Sequence, residues 1–246
     1  MPLTPTRHTT SGIIGIKAAF EVLSAAGRTD VVLAMLAEDD YPSYGYMLRG
    51  GQLGAEPATT LWELWDSDQQ GPGMNSRNHI MFGTVGSWMY KHLLGVTPLE
   101  PGFASVRVQP SGVLCDGCNL TSAAGAVHTP YGPLVVRWLK SAAIPPVVTL
   151  SVTIPIGATA TIGFPAAPGA TVNEGGLVVW RGGAFVPGVP GIVSAAAVPG
   201  TEPRVDFRVG SGTYAFVSSP SGLSLEEGAE REVWRGGDEE YTSGVL

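Results

Sequence analysis

The run Ala58-Thr59-Thr60-Leu61-Trp62-Glu63-Leu64-Trp65-Asp66 sets one carboxylate between two indoles, and Asn75-Ser76-Arg77-Asn78-His79 brings a histidine sixteen positions after it. An ionised glutamate can accept a proton from water, and an imidazole close by can donate to or accept from a hydroxyl. Flat aromatic faces stack on the apolar faces of sugar rings. Together these residue types suit carbohydrate chemistry. Taken singly they are ambiguous: Glu63 also reads as an exposed helical acid, His79 as a structural hydrogen-bonder, and Trp62, Trp65 and Trp88 as core.

Those residues must be positioned by the rest of the chain, and composition limits how. At 246 residues with 44% hydrophobic content there is ample material for a core, in one large domain or two small ones. Only 14% of residues are charged, while glycine (34) and proline (20) are abundant, which describes a loop-rich, tightly turned protein. A net charge of −7 argues against nucleic acid, which needs a basic face, and no Lys/Arg cluster points to a membrane. No apolar run reaches the roughly 18 residues of a membrane-spanning helix. Cys115 and Cys118 form a single Cys-x-x-Cys with only His128 nearby; a zinc site needs a further pair of ligands, so they read as loop cysteines. No metal or cofactor is expected.

The chain changes character near Gly95-Val96-Thr97-Pro98. Before it the period is helical. Ile13, Ile16, Phe20 and Leu23 form one stripe, with Thr10 or Ser11 as start signal and Gly27 as stop. Thr29 is placed to cap a second helix carrying Val32, Leu33, Met35 and Leu36, which makes an αα-hairpin. Pro42 marks an aromatic loop, Tyr41 to Tyr46, and Pro57 is placed to open a short helix holding Glu63. A longer helix is expected from about Asn78 to Leu94, with Gly83 and Gly86 tolerated where a neighbour approaches closely.

After Pro98 the period turns towards two, over Ser105–Gln109, Val135–Trp138, Thr149–Ile154, Ala158–Ile162, Leu177–Trp180, Arg204–Val209 and Thr213–Val217. Short β-branched runs with turn signals roughly every ten residues predict an antiparallel β-sandwich or barrel. The last stretch, from about residue 220, is acidic and glycine-rich and reads as a flexible tail.

Read in order, these segments resemble the C-terminal part of glycoside hydrolase family 78, the α-L-rhamnosidases. The matching stretches are His8–Gly15, Tyr41–Met47, Ala58–Asp66, Met74–His79, Phe82–Trp88, Pro101–Phe103, Gln109–Pro110, Leu150–Pro155 and Gly212–Phe216. The resemblance implies the last helices of an (α/α)6 barrel over residues 1–97 and a β-sandwich over 98–219. It implies inverting hydrolysis of terminal α-L-rhamnose from glycosides or polysaccharides. Glu63 then matches the general base and His79 a histidine that hydrogen-bonds the sugar, with Trp62 and Tyr44 as further candidate sugar contacts.

The sequence also departs from the family. Leu64 stands where the family usually has arginine, and Tyr44 where it often has tryptophan. Glu21, Glu38, Asp39, Asp40 and Glu56 match none of the family's acid motif. The general acid and most of the barrel are thus expected in an N-terminal part of the same protein, and the chain alone is expected to be inactive, with an apolar face exposed on its helices. The alternatives are a non-catalytic carbohydrate-binding or interaction module of the same descent, and a related (α/α)6 glycosidase of different sugar preference.

Overall fold

The apolar stripe from Ile13 to Leu23 becomes helix α1 (Gly15–Ala25), which buries Ile16 and Phe20. This computed structural model describes residues 7–51, 56–71, 73, 75–113, 120–200 and 202–219; Cys115, Cys118 and the acidic tail lie outside the described residues. Neither Thr10 nor Ser11 caps α1: the amides of Gly15 and Ile16 both turn to the Gly12 carbonyl. The helix does end on Gly27, at φ 73°, and Arg28 N–H returns to the Leu23 carbonyl at 2.8 Å. Helix α2 (Thr29–Leu36) then packs on α1. Thr29, expected outside α2 as its cap, is its first residue, and its buried Oγ1 has no partner.

A one-turn helix α3 (Tyr44–Leu48) starts where Ser43 Oγ accepts from Tyr46 N–H at 2.9 Å. The single helix expected over 78–94 is instead three segments: a 3-10 turn at Ile80–Gly83, helix α4 (Thr84–Trp88) and a π-helical stretch at Met89–Leu93. A methyl group on Gly83 would stand 3.1 Å from Leu61 Cδ1, which is the close approach foreseen there; Gly86 faces open space. The helical core gathers Ile16, Phe20, Tyr44, Trp65, Phe82 and Trp88.

Among the described residues the β half has twelve strands. β1 (Val96–Pro98) and β2 (Ser105–Val108) come first, then β3 (Ser122–Thr129) and β4 (Gly132–Lys140). β5 (Val148–Ile154), β6 (Thr159–Pro165), β7 (Thr171–Glu174) and β8 (Leu177–Arg181) follow. β9 (Ala184–Phe185), β10 (Ile192–Val198), β11 (Arg204–Val209) and β12 (Gly212–Ser219) complete it. Five strands form one sheet in the order β1-β2-β6-β11-β10, and seven form the other as β3-β4-β5-β12-β7-β8-β9. Between them lies a core of Val108, Trp138, Leu150, Phe164, Phe207 and Phe216. The sandwich is antiparallel apart from β2 and β6, which pair in parallel.

The sandwich takes hold of the end of the last helical segment. Trp138 Nε1 donates to the Leu93 carbonyl at 2.7 Å, Ser111 N–H to His92 O at 2.8 Å and Gln109 N–H to Gly95 O at 2.9 Å. Carbonyls that an isolated helix end leaves unpaired are satisfied by the β half. Gly95 sits at φ 74°, and a Cβ there would stand 2.0 Å from the Gln109 carbonyl carbon, so only glycine fits.

A charged contact ties the helices to each other near this joint, with Glu21 of α1 meeting Lys91 and His92. Burial alone would raise the Glu21 pKa, but the hydrogen bonds and charges of Lys91 and His92 outweigh it and hold the carboxyl below its ordinary value. A depressed carboxylate stabilises the fold above its unfolded pKa, near 4.5. That contribution is lost as pH falls through the lower folded value. Urea unfolding midpoints should therefore drop more steeply for the wild type than for Glu21→Gln between about pH 5 and about pH 3; parallel curves would remove the contact from the account.

Candidate active site

Among the described residues from 56 to 79 there is no helix, only turns and bends. The short helix expected around Glu63 is absent because its backbone bonds run across the loop. Glu63 N–H donates to the Ser76 carbonyl at 2.9 Å, and His79 N–H donates to the Leu61 carbonyl at 2.7 Å. The Thr60 hydroxyl donates to the Arg77 carbonyl. Two segments distant in sequence are thereby clipped side by side, with Glu63 on one and His79 on the other.

The clip also fixes the carboxylate. Ser76 N–H donates to Glu63 Oε2 at 2.7 Å, a hydrogen bond strengthened by the charge on the acceptor. The segment behind Glu63 is closed by Ser67, a fully buried side chain whose Oγ accepts from Leu64 N–H at 3.2 Å and donates to Leu64 O at 3.1 Å. Trp65 Nε1 reaches the Ser11 carbonyl at 3.0 Å, and its ring packs on Phe82 with centroids 4.1 Å apart.

His79 stands at the entry to the Ile80–Gly83 turn and lines a cleft of about 740 Å³. Its other walls are apolar for the most part and include Leu36, Tyr44, Met47, Leu61 and Val85. Ile80 is 82% exposed and Leu48 59%, so the helical half carries the apolar face anticipated from its sequence. His79 Nδ1 is buried without a hydrogen-bond partner. Tyr44 donates from its hydroxyl to the Phe82 carbonyl at 2.8 Å, and burial pushes its phenol pKa up, so it is a neutral donor at any ordinary pH.

The four residues singled out in the sequence thus divide. His79 and Tyr44 share the cleft; Glu63 is clipped beside His79 through the backbone but is not a cleft wall. Trp62 is 2% exposed, and Arg77 Cζ lies 5.9 Å from the ring centroid, so its ring belongs to the core and presents no open face. Ser76, Arg77 and Ser67 were missed as supports. Their roles run through backbone groups or packing, which residue type alone does not advertise.

The geometry acquires a lineage from comparison with known proteins. Residues 4–93 match the bacterial alpha-L-rhamnosidase 6 hairpin glycosidase domain, and residues 95–177 match the bacterial alpha-L-rhamnosidase C-terminal domain. The chain belongs to the α-L-rhamnosidase family. A curated α-L-rhamnosidase of Streptomyces avermitilis is 34% identical over 160 residues, covering 60% of this chain and 15% of that protein. The structure of an α-L-rhamnosidase from Dictyoglumus thermophilum superposes with a TM-score of 0.72 at 28% identity, over 89% of this chain and 22% of that one. The Streptomyces avermitilis enzyme, solved in complex with L-rhamnose, superposes with a TM-score of 0.67 at 31% identity, over 86% of this chain and 18% of that one. The chain spans about 15–16% of the length of these curated relatives, to which it is 33–35% identical over the aligned residues.

Tyr44→Phe tests the support of this cleft. It retains the ring but leaves the Phe82 carbonyl unpaired in a buried wall, and should cost about 1–2 kcal/mol of unfolding free energy by urea titration. A change within experimental error would mean the carbonyl finds another donor.

Proposed function

We propose that this chain supplies one wall of a site that hydrolyses terminal α-L-rhamnose from glycosides or polysaccharides. In this reading Glu63 is the general base of an inverting reaction and His79 hydrogen-bonds the sugar, with Tyr44 shaping the same cleft. The observation that carries the reading is the Ser76 N–H held to Glu63 Oε2 at 2.7 Å, on the pair of segments that also presents His79.

The chemistry fits those roles. In an inverting hydrolysis, water attacks the anomeric carbon from the face opposite the leaving group. A carboxylate takes the proton of that water while a second carboxyl group protonates the departing oxygen, and the two stand about 6.5–9.5 Å apart. With Oε2 engaged by Ser76, Glu63 Oε1 has no protein partner among the described residues and can take the water proton. No acidic residue lines the cleft among the described residues; in this reading the general acid belongs to the remainder of a six-hairpin domain. The helical part, residues 1–97, and the sandwich, residues 98–219, act as one piece in this reading, the second anchoring the first.

Removal of a general acid or base costs on the order of 10²–10⁴ in rate, and loss of positioning adds to it, so this chain by itself should not turn over an aryl α-L-rhamnoside. Within a complete six-hairpin domain, Glu63→Gln should lower kcat by roughly 10²–10⁴ while rhamnose binding persists. His79→Ala should chiefly weaken rhamnose affinity. Turnover of Glu63→Gln within a few-fold of wild type, or unchanged affinity in His79→Ala, would sink the respective assignment.

A further inference from the structure

We infer that Arg77 is a positioning residue for the Glu63–His79 pair; the inference rests on the rhamnosidase reading only in taking those two groups as the ones that matter. Arg77 lies between Ser76, which holds the Glu63 carboxylate, and His79, which enters the cleft. Its guanidinium and its backbone carbonyl together make three contacts with the opposite segment. Its guanidinium carbon stands 5.9 Å over the Trp62 ring, Nη2 donates to the Ser67 carbonyl at 3.1 Å, and its backbone carbonyl accepts from Thr60.

These contacts bracket Glu63 from both sides. Trp62 precedes it, and Ser67 is bonded through its hydroxyl to both the amide and the carbonyl of Leu64, which follows it. A planar guanidinium can lie on a ring and donate in its own plane at the same time, whereas an ammonium offers a point charge without that fixed fork. Without Arg77, the backbone rungs at Leu61–His79 and Glu63–Ser76 and the hydroxyl of Thr60 would be left to hold the clip. The Ser76 amide would then be free to drift from the carboxylate.

The test follows the Ser76 amide in the ¹⁵N-labelled full chain while pH is taken through the range in which carboxylates titrate. In the wild type this amide should shift with Glu63 ionisation, and Glu63→Gln should abolish the shift, which assigns it. Arg77→Ala should lose the shift while amides of α1 and β5 keep their wild-type positions, and Arg77→Lys should recover part of it. The inference is overturned if Arg77→Ala retains the full shift. It is equally overturned if the shift is lost only together with the dispersion of the α1 and β5 amides, since Arg77 would then be a general stabiliser. A failure of the rhamnosidase reading is seen elsewhere, as full turnover by Glu63→Gln in a complete domain, and would leave the Ser76 titration untouched.

Discussion

Backbone pairing between residues 60–63 and 76–79 determines where the candidate catalytic groups can be. A stretch this long, with neither helix nor sheet among its described residues, has many conformations when unfolded, and ordering each residue costs about 1–2 kcal/mol of backbone entropy. The hydrogen bonds at Leu61, Glu63, Ser76 and His79 lie at the points where that cost is offset, and the carboxylate is itself one of the acceptors. Glu63 is therefore both a member of the clip and the group the clip presents. The Ser76 amide fixes the orientation of that carboxylate.

Rigidity reaches the clip from the sandwich. The two sheets close over a continuous apolar core, and that core includes Leu94, the residue that follows the last helical segment. Trp138 and the Gln109–Ser111 backbone pin the carbonyls at 92, 93 and 95, and the chain then runs back through α4 to the turn that His79 opens. Trp88 extends the same path sideways, donating to Ser24 Oγ on α1 at 2.9 Å. None of the described residues of the β half lines the cleft, yet that half fixes one end of the element that carries the sugar-binding candidate.

Much of this was legible in the residues, for identifiable reasons. The switch from a period near 3.6 to one near two separates helices from strands because burial on one face obeys those periods. All seven alternating runs lie within or overlap strands. The strands that periodicity passed over are short or built largely from small residues: β3 reads Ser-Ala-Ala-Gly-Ala-Val-His-Thr, and β10 reads Ile-Val-Ser-Ala-Ala-Ala-Val, with its β-branched residues only at the two ends. The parallel pairing of β2 with β6 joins segments far apart in the chain, and no local pattern encodes it. Around Glu63 the local signals favoured a helix after Pro57, but cross-loop hydrogen bonds took the amide of Glu63 itself. Glu63 and His79 stood out by residue type and motif, whereas the Ser76 amide that orients Glu63 has no side-chain signature.

The central claim is that Glu63 activates the water that attacks the anomeric carbon. It is tested most directly by placing Glu63→Ala in a complete six-hairpin domain and adding azide, a nucleophile that needs no general base. The account predicts a severe loss of hydrolysis and its recovery with azide, giving a rhamnosyl azide of inverted anomeric configuration. Hydrolysis that persists without azide, or an azide product of retained configuration, would contradict it.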